Sequence, residues 1–79
     1  MIKGSIKENL FLLMEEVLQV SEININQTMD DIPEWDSLKH IQLLSAIEQK
    51  FDFKVDFEDS IDMIDVKGIL DIVSQKLLK

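Results

Sequence analysis

The side chains with most chemical content stand together in Glu34-Trp35-Asp36-Ser37-Leu38-Lys39-His40, where a hydroxyl, a carboxylate and the sequence's single histidine lie close along the chain. If a helix starts at Ser37, the serine sits among backbone N–H groups that have no intrahelical acceptor, at the positive end of the helix dipole. Such a position favours an anion bound near the hydroxyl or esterified to it. Ser37 is therefore a candidate phosphate-ester acceptor, and the plainer reading is that Asp36 and Ser37 are two good capping residues. The enzyme reading pairs Ser37 with His40, a neighbour on one helix face, and takes Asp36 as a third member. Geometry opposes it, because residues so close along one helix cannot form a nucleophile–base–orienter line, and no oxyanion site is evident. No residue is assigned a catalytic role.

The composition narrows the chemistry further. With no Cys there is neither a thiolate nucleophile nor a disulfide, and one His cannot build a His-rich metal site. Any metal would rest on carboxylates, and the Asp-rich stretch 52–65 invites a calcium loop. Counted from Asp52, the third, sixth and twelfth positions are Lys54, Phe57 and Met63; counted from Asp56, the last two are Ile61 and Lys67. Neither register supplies the glycine and glutamate that such a loop needs, so no metal ligands are assigned. Sixteen Asp plus Glu against 8 Lys give a net charge of -8, which opposes binding to nucleic acid or anionic lipid. At 79 residues and 46% hydrophobic, the chain is too short to enclose a deep active site and too apolar for a disordered acidic tail. Its apolar runs are far shorter than a bilayer span. Met1-Ile2-Lys3-Gly4 does not open a secretory signal, which points to a cytoplasmic protein without membrane insertion.

The elements that must position Ser37 can be read from periodicity. Ile6, Leu10, Leu13, Val17 and Val20 recur as one helix face, widened by Phe11, Leu12, Met14 and Leu18, with Ser5 and Glu8 as a capping box. From Ser21 to Asp36 the period stops. This is a long ordered loop, pinned inward by Ile23, Ile25, Met29 and Ile32. A second helix, capped by Asp36, buries Leu38, Ile41, Leu44 (or Leu43), Ile47 and Phe51 and ends near Asp52. Alternation at Phe51, Phe53, Val55 and Phe57 imitates a strand, but a strand without a partner forms no sheet, so an extended connector and a short acidic turn over 57–62 are expected. Asp65 then caps a helix over 66–78 with Val66, Ile69, Leu70, Val73 and Leu77 inward. The expected fold is all-α: a four-helix bundle with three long helices, one short one and a long first loop, residues 1–79 forming one domain.

Glu34-Trp35-Asp36-Ser37-Leu38, the amphipathic helix behind it, the acidic Glu58-Asp59 turn and the last helix together resemble the acyl carrier protein family over nearly the whole chain. The three-residue Asp-Ser-Leu string alone is weak; its place behind a long loop in a small acidic helical domain makes the joint match specific. The resemblance implies that Ser37, flanked by Asp36 and Leu38, carries 4'-phosphopantetheine donated by coenzyme A. The arm's thiol would hold an acyl or aminoacyl group as a thioester, which fits the absence of Cys. The protein would then be a carrier and not an enzyme, delivering its cargo at high effective concentration. Its implied partners are a phosphopantetheinyl transferase and acyl-activating, condensing or acyltransferase enzymes with basic docking patches. The carrier itself is expected to be a monomer. By the same resemblance Leu38, Ile41, Leu44, Ile47, Phe51, Val55, Ile61 and Met63 are candidates for an acyl pocket between the second and third helices, and their plain role is core. His40 is a partly exposed surface residue that could lie near the arm's phosphate.

The charge pattern departs from the fatty-acid-synthesis members. Glu22, Asp30, Asp31, Glu34 and Asp36 precede the serine without a lysine, whereas Lys39 and Gln42 stand where those proteins carry acids and Glu48 is the clear acid on the second helix. This favours a dedicated carrier for a specialised pathway such as surface polysaccharide, modified sugar, polyketide or amino-acid activation. Trp35, in place of a small or aliphatic residue, reads as packing the loop onto the bundle. The competing reading is an acidic helical interaction module without a cofactor.

Overall fold

The computed structural model describes residues 5–78, so Met1-Ile2-Lys3-Gly4 and Lys79 lie outside the described residues. Its helices are α1 (Ile6–Leu18), α2 (Ser37–Phe51), the short α3 (Phe57–Asp62) and α4 (Val66–Leu77). The all-α, four-helix expectation is met. Ser5 caps α1, its Oγ accepting the Glu8 N–H at 3.0 Å. Asp65 caps α4, its Oδ1 accepting the Gly68 N–H at 2.6 Å. α1 packs on α2 and α4, and α3 leans on α4. Lys76 of α4 helps to hold α3, its Nζ lying 3.0 Å from Asp59 Oδ2 and 3.7 Å from Asp56 Oδ2. The hydrogen bond to Asp59 raises the Lys76 pKa.

The core differs from the periodic reading in which stripe it selects. On α1 the buried residues are Leu10, Met14 and Leu18, and Leu13, Val17 and Val20 are half-buried against them. α1 also stops before Val20, because Gln19 takes the left-handed conformation at φ 59°. On α2 the interior takes Leu43, Ile47 and Phe51, while Leu38 and Ile41, expected inside, are 64% and 66% exposed. An exposed apolar pair at the start of a helix shifts the apparent apolar stripe round its circumference, since successive residues are about 100° apart. On α4, Ile72 joins Val66, Ile69 and Val73, and Leu70 and Leu77 are only half-buried. No polar or charged residue among the described ones is buried.

The long loop is fastened at several points. Ile23, Ile32 and Trp35 enter the core, and Ile25 and Met29 pack beside it. A 3₁₀ turn at Met29–Asp31 is closed by Asp31 Oδ2, which accepts the Thr28 N–H at 2.9 Å and its hydroxyl at 3.2 Å. The loop also pairs with the start of α4. Met29 N–H donates to the Ile64 carbonyl at 3.2 Å and Val66 N–H to the Gln27 carbonyl at 3.0 Å, forming an antiparallel bridge between Thr28 and Asp65. The loop thus reaches Ser37 from a fixed direction.

Candidate functional site

Ser37 opens α2 as its first residue, with Asp36 in extended conformation before it. Asp36 Oδ1 accepts the Lys39 N–H at 2.9 Å and its carbonyl accepts the His40 N–H at 2.8 Å, the first bond of the helix. The N–H groups of Ser37 and Leu38 have no intrahelical acceptor and remain at the positive end of α2. The Ser37 side chain is exposed, and its hydroxyl has no hydrogen-bond partner among the described residues. No acid lies in the first turn of α2, and Lys39 is half-buried beside it. A reachable hydroxyl at a helix start fits a phosphate ester: the Asp36 carboxylate takes only the Lys39 N–H, so the charge the serine would acquire still meets free donors.

Trp35 anchors this corner. It is 2% exposed, its N–H donates to the Ile32 carbonyl at 2.9 Å, and its indole Nε1–H donates to His40 Nδ1 at 3.0 Å. The two rings lie 5.8 Å apart and tilted by 36°. Accepting at Nδ1 requires a neutral imidazole that keeps its proton on Nε2. Burial pushes the His40 pKa down in the same direction. His40 therefore spends Nδ1 on Trp35 and is not hydrogen-bonded to Ser37, so the Ser37–His40 dyad is not formed. Trp35 does pack the loop onto the bundle, as expected of it from the sequence.

Between α2 and α3 lies a crevice of about 300 Å³ walled by Ile41, Leu44, Val55 and Phe57, with Ser45, Glu48, Asp56 and Ser60 adding polar groups. Of the pocket candidates read from the sequence, Ile41, Leu44 and Val55 line it. Ile47, Phe51 and Met63 are in the core, and Leu38 and Ile61, 64% and 56% exposed, stand at the surface of α2 and α3. Sequence reasoning missed Ser45, Glu48, Asp56, Phe57 and Ser60 as wall residues. Ser45 and Glu48 were legible, lying four and seven residues beyond Ile41 on the same α2 face. Glu48 also shapes the connector, its Oε2 accepting the Val55 N–H at 2.8 Å. Among the described residues no group of His, Asp or Glu side chains is placed to hold a metal ion.

The fold superposes on known structures over 91% of the chain. One is the solution NMR structure of a holo acyl carrier protein from Geobacter metallireducens, with a TM-score of 0.83 and 23% identity over 91% of this chain and 85% of that one. Another is a candidate acyl carrier protein from Mycobacterium tuberculosis, with a TM-score of 0.82 and 26% identity over 91% of this chain and 99% of that one. The fold is that of the acyl carrier proteins. No protein-family model and no curated protein matches the chain. The acyl-carrier likeness therefore rests on three-dimensional form and on the Asp36-Ser37-Leu38 corner together. No described helix is long and apolar enough to cross a membrane.

Proposed function

We propose that the protein is an acyl carrier in which Ser37 holds 4'-phosphopantetheine. The observation that carries this reading is an exposed serine as the first residue of α2, next to the capping Asp36, in the acyl-carrier fold. When bound, the group supplies the thiol on which an acyl or aminoacyl chain rides as a thioester. The chain's own residues do the rest. Ser37 Oγ provides the point of attachment, Asp36 holds the helix start in place, and the free N–H groups of Ser37 and Leu38 offset the charge of a phosphodiester. Ile41, Leu44 and Val55, with Phe57, offer a small partly apolar crevice in which part of a cargo can leave water. Its partners are a phosphopantetheinyl transferase and the enzymes that load, extend or unload the arm, in the cytoplasm.

Service in a specialised pathway is preferred over general fatty-acid synthesis. α2 carries no acid from Ser37 to Ile47, and its Glu48 is half-buried and bonded to the Val55 N–H. The helix next to the attachment site therefore lacks the free carboxylates that attract basic docking patches, and Asp30 and Glu34 on the loop are left to do so. A two-step experiment tests the reading. Coenzyme A, magnesium and a broad-specificity phosphopantetheinyl transferase should modify the protein but not Ser37→Ala, and the product should be a poor acceptor for a fatty-acid-pathway malonyltransferase. Efficient malonyl loading contradicts the specialised assignment. Absence of any modification leaves the acidic interaction module.

A further inference from the structure

The Trp35–His40 hydrogen bond fixes where the histidine ring lies and which of its nitrogens is left over. A helical side chain leans toward the helix N-terminus and covers the turn before its own Cα. For His40 that is the first turn of α2, which Ser37 opens. The bond of 3.0 Å to Trp35, a residue that precedes Ser37, holds the ring along that turn. Ser37 and His40, three apart on one helix, are face neighbours, whereas Lys39, two from the serine, lies round the helix from it. With Nδ1 occupied as an acceptor, the neutral ring keeps its proton on Nε2. That N–H has no partner among the described residues and is not one of their buried unpaired atoms, so it opens to solvent. The half-buried ring thus presents one donor, in a set orientation, on the face that carries the Ser37 hydroxyl.

We propose, resting on the carrier reading above, that His40 is a positioning residue for the arm: its Nε2–H donates to a phosphodiester oxygen on Ser37, alongside the Ser37 and Leu38 N–H groups. A hydrogen bond to an anion is stronger than one between neutral groups. It pins the first link of the arm to α2 and sets the direction in which the rest leaves the protein. Trp35 acts through the ring, because the bond at one imidazole nitrogen decides the proton and orientation of the other. His40 makes and breaks no covalent bond in this role, so attachment itself does not require it.

The test compares apo protein with holo protein made from coenzyme A by a phosphopantetheinyl transferase and checked by intact mass. The His40 ring nitrogens are followed by NMR as pH is varied. Glu34, Asp36 and Lys39 neighbour the ring along the chain and are the same in both forms, so a difference reports the phosphodiester. The His40 midpoint should rise by about 0.5–1 pH unit in the holo form, because a nearby anion favours the imidazolium. A phosphodiester does not titrate near neutrality, yet its phosphorus resonance should move through the His40 midpoint. His40→Asn keeps a side-chain acceptor for the indole but lacks the Nε2 donor. It should abolish that movement and displace the resonance while modification still goes to completion, and Lys39→Gln should leave the movement in place. Coincident apo and holo midpoints, or a phosphorus signal indifferent to His40→Asn or governed by Lys39, overturn this inference alone. The wild-type comparison needs no variant, so it decides the matter even where His40→Asn is destabilised. A wild-type protein that no transferase modifies overturns the carrier reading and this inference with it.

Discussion

Trp35 and His40 brace the corner that presents Ser37, and their hydrogen bond depends on the protonation of one ring. Nδ1 must carry a lone pair to accept from the indole at 3.0 Å, so an imidazolium cannot take part. Burial lowers the folded-state pKa of His40 below its ordinary value of about 6.5. The sign follows from linkage. As pH falls through about 6.5 the unfolded chain takes up a proton first, so stability is lost there, and the loss levels off only below the folded pKa. The protein's one tryptophan reports this directly. Its fluorescence and indole N–H resonance should titrate with a midpoint below 6.5, and His40→Gln should remove the transition. A midpoint above 6.5 would contradict the burial argument. Trp35→Phe should cost about 1 kcal/mol for the lost bond, beyond any packing change.

At the scale of elements, α4 depends on Gly68 for a reason that helix propensity alone conceals. A Cβ there would run into the Asp62 carbonyl oxygen and come within 2.7 Å of Asp65 Oδ1, the oxygen that caps the helix. Gly→Ala normally gains about 1 kcal/mol in a helix interior. Gly68→Ala should instead lose about 1–3 kcal/mol, measured by urea unfolding, because backbone of the α3–α4 turn must move. A stabilised variant would show that the turn yields freely. The helices themselves were legible in the sequence: Ser5, Asp36 and Asp65 were identified as caps, and the start of α2 put Ser37 where chemistry is possible. The interior stripe was less legible. Leu38 and Ile41 look like core in a periodicity count yet lie outside, and of the two alternatives Leu44 and Leu43 it is Leu43 that takes the inner place. The Thr28–Asp65 bridge and the Trp35–His40 bond left no periodic signal at all, being fixed by tertiary packing. For the site, residue types and position singled out Ser37 as a candidate, with the attachment role implied by the family resemblance, and the crevice walls contributed by α3 needed the fold.

For the whole molecule, the net charge of -8 sits on a small body with a radius of gyration of 11.5 Å. Only some of the acids have structural work: Asp31, Asp36, Glu48 and Asp65 accept backbone N–H groups, Glu8 accepts the Ser5 hydroxyl, and Asp56 and Asp59 face Lys76. The rest repel one another across distances comparable to a Debye length of about 10 Å at 0.1 M salt. Melting temperature should therefore rise from low to moderate ionic strength, and rise further with divalent cations. A flat response would mean that the charges are too dispersed to matter. The same size and charge suit the proposed role of bringing cargo to other enzymes' active sites. That central claim is open to a direct measurement of intact mass after incubation with coenzyme A, magnesium and a phosphopantetheinyl transferase. The account predicts one added phosphopantetheinyl group, located to Ser37 by fragmentation and absent from Ser37→Ala; an unchanged mass across several transferases, or a group placed on another residue, would contradict it.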